Sequence, residues 1–229
     1  RSDAALTNDV WANINPVWSL DGERIAFFSE RDGTYNLFAL YVINADGTGL
    51  ERITAPLYSV KASVSWSPDG KWLVYCQADN YMLLMPDSRL YIVPAKGGKA
   101  KMLDCNMYAL NSWHAWSPNS KWLVFVSKGL SIYTDLFLTH IDEKGNSSIP
   151  VVIDRAREYQ RVCNYPEFLN RKPGDEFVME YDYVELAHIK NALRDGQTEK
   201  AKDLYERLMD QDPFFFSEDC IALSGYLSR

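Results

Sequence analysis

The chain has 229 residues, 47% of them apolar and 24% charged, the balance of one large globular domain or two small ones and not of a disordered chain. A net charge of −7, with no cluster of Lys and Arg, argues against nucleic-acid binding and against docking on an anionic membrane surface. No apolar run reaches the roughly 18 residues of a spanning helix, so the chain is not expected to cross a membrane.

The chain begins at Arg1 and not at Met, as expected of a processed product or of an engineered piece, and no signal pattern is read at its start. From Trp18 onward one pattern recurs. Trp18-Ser19-Leu20-Asp21-Gly22 precedes the apolar run Ile25-Ala26-Phe27-Phe28. Trp66-Ser67-Pro68-Asp69-Gly70 precedes Trp72-Leu73-Val74-Tyr75-Cys76, and Trp116-Ser117-Pro118-Asn119-Ser120 precedes Trp122-Leu123-Val124-Phe125-Val126. The Trp spacings are 48 and 50 residues. A third strand follows in each copy (36–44, 89–94, 135–142), then a Gly-containing turn and a fourth (50–54, 99–104, 149–153).

The turn residues explain the hairpin. Proline sets φ for the second turn position in two copies, and Asp-Gly or Asn-Ser tolerates the bend that follows. Asp21 and Asp69 are therefore read as turn formers and not as chemical groups. The second strands are apolar on both faces, as in sheets covered from both sides. Four-stranded units recurring every 40–50 residues, each needing neighbours to cover its faces, predict a β-propeller. Trp18, Trp66 and Trp116 are expected in equivalent buried positions.

Both ends carry weaker copies. Leu6-Thr7 precedes Trp18 much as Ile53-Thr54 precedes Trp66, and reads as the end of a fourth strand begun upstream. Tyr165-Pro166-Glu167-Phe168 reads like Asn15-Pro16-Val17-Trp18, with residues 177–181 as the next strand. This is either a half-blade or an irregular cap. The expected fold is mainly β: propeller blades over residues 1–183 (13–58, 61–108, 111–154, and a partial one at 161–183), then a small helical tail over 184–229. Three whole blades cannot close a ring of the usual four to eight. Further blades outside this sequence are expected, the alternatives being association with another copy or an unusually small ring.

In the tail, Leu186, Ile189 and Leu193 recur at helical spacing before Gly196, and Ala201, Leu204, Tyr205, Leu208 and Met209 form a second stripe before Pro213. Thr198 is the expected N-cap. The order Gly196, Ala201, Tyr205, Leu208, Pro213 resembles half a tetratricopeptide repeat, though a plain helical hairpin fits nearly as well. A third helix is expected over 217–227. Phe214, Phe215 and Phe216 are costly to leave in water, so they wedge against the blades or bind a partner.

The stretches Trp66-Ser67-Pro68-Asp69-Gly70-Lys71-Trp72-Leu73-Val74-Tyr75 and Val42-Ile43-Asn44-Ala45-Asp46-Gly47-Thr48-Gly49-Leu50 resemble the repeat of TolB-type β-propellers of the bacterial envelope. The resemblance covers residues 13–154. It implies a periplasmic or outer-membrane-associated, non-enzymatic protein whose propeller binds a protein partner, with a glycan as a further possibility. The alternatives are an accessory domain of an envelope enzyme and a propeller that binds a small ligand or metal.

Motifs for chemistry are few. There is no Gly-x-Ser-x-Gly elbow, no Walker loop and no dinucleotide fingerprint. The four cysteines, Cys76, Cys105, Cys163 and Cys220, lack CxxC spacing, which disfavours zinc ribbons, thioredoxin motifs and haem attachment and leaves their disulfide state open. No metal or cofactor is expected, since His114, His140 and His188 are scattered and a lone His is a poor metal site. His114 lies two residues before Trp116, on a strand that should line the channel. Asn15, Ser63, Asn111, His114 and Glu167 are the channel candidates: polar residues in or beside the inner strands that converge at one mouth or merely hydrate strand ends. An insertion in the second blade carries Tyr81, Met82 and Met85, which fold onto that blade or bind a partner.

Overall fold

The computed structural model describes residues 5–32, 38–55, 60–79, 86–157, 162–172, 175 and 182–211. Twelve strands form three sheets. The first holds β1 (Asn13–Trp18), β2 (Arg24–Ser29), β3 (Ala39–Asn44) and β4 (Glu51–Arg52). The second holds β5 (Val60–Trp66), β6 (Trp72–Ala78), β7 (Arg89–Pro94) and β8 (Lys101–Met102), and the third β9 (Asn111–Trp116), β10 (Trp122–Ser127), β11 (Asp135–His140) and β12 (Val151–Val152). Each is an antiparallel meander in chain order, the blade expected from the sequence. The outer strands are shorter than expected because side chains take over the ladder. Leu40 N–H donates to Thr54 Oγ1 (3.0 Å), and Leu90 N–H donates to Asn106 Oδ1 (2.7 Å).

The first hairpin of every blade closes on one serine. The hydroxyl of Ser67 donates to Asp69 Oδ1 (2.6 Å) and accepts from Trp72 N–H (2.9 Å). Ser117 repeats both bonds with Asn119 and Trp122, and Ser19 with Asp21 and Arg24. The Ser19 hydroxyl and the Glu23 N–H hold the Asp21 carboxyl below the usual range. Gly70 has φ +69°, a left-handed value that glycine takes without strain, and Ser120 sits at +60° in its place. The aspartates are turn formers, as their spacing indicates.

The blades stack through their two-sided second strands. On β6, Leu73 and Tyr75 join Phe28, Leu40 and Val42 of the first blade, while Val74 and Cys76 join Trp116, Leu123 and Phe125 of the third. Alternation along a strand sends successive side chains to opposite faces, so both faces are apolar and both are covered. Trp66 is a wedge between blades. Its Nε1–H donates to Val17 O (3.2 Å) and its ring lies 4.6 Å below the Arg24 guanidinium.

One expectation is corrected. Trp66 and Trp116 are 7% and 8% exposed, but Trp18 is 57% exposed. Each Trp is covered by the blade before its own, and among the described residues no blade precedes the first. Trp18 occupies the equivalent backbone position without the equivalent cover.

By contact density the chain divides into residues 1–170 and 171–229. In the second unit, α1 (Asp182–Arg194) and α2 (Thr198–Gln211) form a hairpin. Gly196 turns it at φ +73°, with its N–H on Leu193 O and that of Gln197 on Ala192 O, a left-handed helix cap. Leu186, Ile189, Ala192, Ala201 and Leu208 are buried between the helices, with Leu193, Leu204 and Tyr205 partly so. Thr198 is the first helical residue and not the cap, and Gln197 O accepts the first bond from Ala201 N–H. The expected third helix, residues 177–181, the Tyr81, Met82 and Met85 loop, the Phe214, Phe215 and Phe216 run and Cys220 lie outside the described residues.

Replacing Trp66 by Ala should cost about 3–5 kcal/mol, because a buried indole leaves a cavity. Trp18→Ala should cost under about 1 kcal/mol, as at exposed sites. Urea unfolding of both variants checks this, and equal losses would contradict the wedge.

Candidate functional site

The inner strands share an irregularity that sets the site. On β1, β5 and β9 the pairing to the second strand slips by one residue, a β-bulge. In each bulge one residue is left-handed: Asn15 at φ 51°, Ser63 at 52° and Trp113 at 35°. Tyr165 repeats it at 53°. These four positions each stand three residues before the aromatic residue that ends the repeat (Trp18, Trp66, Trp116, Phe168). The segment 162–168 therefore repeats the left-handed position of the inner strands, though it pairs as no named strand.

β5, β9 and this segment enclose a pocket of about 180 Å³. Ser63, His114 and Glu167, three of the residues expected at a channel mouth, line it. Trp113, Ala115, Tyr165 and Pro166 complete the wall. The rings of Trp113 and Tyr165 meet at 4.6 Å between centroids and 45° between planes. Tyr165 is 69% exposed, so its ring forms the rim.

Asn15 and Asn111 are not part of this group. Asn15 is exposed on β1 in the first copy of the bulge. Asn111 is fully buried: its Nδ2 donates to Ser88 O (3.1 Å) and Met107 O (3.0 Å), and its Oδ1 accepts from Met107 N–H (2.7 Å). With every amide group satisfied it clamps the loop before β9 and has nothing left for a ligand.

His114 is held from below. Its Nε2 lies 3.1 Å from Val74 O, and a carbonyl only accepts, so Nε2 carries the proton. Nδ1 is buried without a partner. Burial pushes the imidazole down to about 4, outweighing the Val74 bond that favours the charged form. His114 is thus a neutral ring tying the third blade to the second. Neither nitrogen bonds to Ser63, since Nε2 is engaged by Val74 O and Nδ1 has no partner. Among the described residues, no three His, Cys, Asp or Glu gather as a metal site. Cys76 and Cys105 are buried free thiols, both pushed up to about 11 by burial, which makes them unreactive.

The neutral state of His114 links stability to pH. Its pKa falls from an ordinary 6.5 to about 4 on folding, so between these values only the unfolded chain binds the proton. Stability from this group is complete above pH about 6.5 and declines toward pH 4, by up to about 3 kcal/mol. Urea unfolding against pH should show a shallower acid slope in His114→Gln than in the parent chain. Identical slopes would remove the buried neutral histidine.

No family model and no curated protein matches the chain. Solved structures do. The chain resembles TolB of Agrobacterium tumefaciens at 18% identity and a TM-score of 0.50, over 71% of this chain and 52% of that one. It also resembles TolB of Acinetobacter baumannii (17%, 0.46, 60% and 31%) and the β-propeller domain of the Trilobed protease of Pyrococcus furiosus (16%, 0.45, 64% and 44%). The chain thus spans about half the length of the Agrobacterium TolB chain. At these identities the likeness shows the fold, a TolB-like β-propeller architecture.

Proposed function

We propose that the chain is a non-catalytic propeller scaffold of the bacterial envelope that binds a protein partner at the inner-strand pocket. The observation that carries this reading is the Trp113–Tyr165 pair, with Tyr165 exposed, at a pocket lined by two successive inner strands and the segment 162–168. Aromatic residues left at a concave surface are the usual anchors of an interface. The envelope location rests on the TolB-type repeat. The helical hairpin is read as a tetratricopeptide-like unit, which in isolation has too little core to stand without neighbours.

The test is site-specific photocrosslinking in bacterial cells. With p-benzoylphenylalanine in place of Tyr165, one discrete protein adduct is expected. The same group in place of Leu20, exposed on the first hairpin turn, should give none. Identical adducts from both positions, or none from position 165, would overturn the reading.

A further inference from the structure

We infer that the pocket between β5, β9 and residues 162–168 receives a lysine side chain of a protein partner, its ammonium group set beside Glu167 and the Trp113–Tyr165 rings. The inference rests on the proposed scaffold reading and names the ligand chemistry of that same site.

Charge comes first. Of the seven residues lining the pocket, Glu167 alone is charged, and its sign is negative. His114, the one lining group able to oppose a cation, is neutral: its Nε2–H is engaged by Val74 O and burial keeps it unprotonated at ordinary pH. An anion would find no cationic donor in this wall. The chain's net charge of −7 favours the approach of a basic partner as well.

The aromatic geometry agrees. Trp113 and Tyr165 lie tilted by 45°, not flat on each other, with Tyr165 at the rim. Their π faces attract a cation within about 6 Å of the ring centroid, and Trp and Tyr are the stronger partners in such contacts. Ala115 and Pro166 supply apolar wall for a methylene stem. A volume of about 180 Å³ suits one side chain or one small ring and not a folded segment. Glu167 and the π faces together answer a cation.

The test follows the indole N–H signal of Trp113 by nuclear magnetic resonance in the full chain. Four probes are titrated: acetyl-Gly-Lys-Gly-amide, the same peptide with norleucine for lysine, n-butylammonium, and a linear β-linked glucose trisaccharide. The lysine peptide should move the Trp113 signal saturably while the buried Trp66 signal stays still, and the norleucine peptide should not. Glu167→Gln, a change at an exposed residue, should weaken binding about fivefold. Tyr165→Phe should preserve it, and Tyr165→Ala should weaken it roughly threefold to fivefold. Equal binding of the norleucine peptide, or no effect of Glu167→Gln, would overturn the charge argument. Tighter binding of n-butylammonium than of the peptide would replace the protein partner with a free amine. A response to the trisaccharide alone would overturn the lysine and make the ligand a glycan. A crosslinked partner at position 165 with no response to the lysine peptide would sink this inference and leave the scaffold reading standing.

Discussion

Everything in the first unit follows from a strand with no wet face. β6 sends Leu73 and Tyr75 one way and Val74 and Cys76 the other, and all four are buried. A sheet built on such a strand is stable only between two others, so the stacked blades are a consequence of one apolar run per repeat. The tryptophan before each turn completes the arrangement. Trp66 reaches across to Val17 O and lies under Arg24. The same demand accounts for what stays open. In the first blade Trp18 has no preceding blade among the described residues, and in the third Trp122 is 40% exposed where Trp72 is covered by the turn at Gly145. End blades carry the repeat's chemistry without its neighbours.

Stacking also fixes the pocket. His114 lines it, with its proton committed to a carbonyl of the blade before it. Two of its sides are β5 and β9, each held at its outer flank by the second strand and at its end by a serine-centred turn, and the third is the segment 162–168. Side chains on β5 and β9 are thus positioned by packing, which favours preorganisation of that part of the site.

The Trp period and the two-sided apolar runs made the blades legible in the sequence, because both are properties of a single repeat. The exposure of Trp18 was not legible, since burial depends on the neighbour and not on the residue. Ser63, His114 and Glu167 were found by their place beside the terminal Trp or Phe. Asn111 met the same criterion, yet its amide is consumed by Ser88 and Met107, a network that strand pattern does not reveal. Trp113 and Tyr165 were passed over because aromatic residues in strands read as core. The signal that marks them is positional: each stands three residues before the repeat's terminal aromatic, where the first two copies have Asn15 and Ser63.

That position is where structure and chemistry part. All four copies keep the left-handed backbone. Asn tolerates it well, whereas a bulky residue is held there at a cost of order 1–3 kcal/mol. A bulge needed only to bend the inner strand would be served by Asn15 and Ser63, or by glycine. The third and fourth copies instead hold Trp113 and Tyr165, which touch each other at 4.6 Å and flank the pocket while Tyr165 remains open to water. Contact between the two rings recovers part of the strain, but a rim aromatic buries too little to recover it through the core. The bulged inner strand recurs three times and its left-handed residue a fourth, and the pocket lies where two of these positions carry an aromatic in place of a small polar side chain.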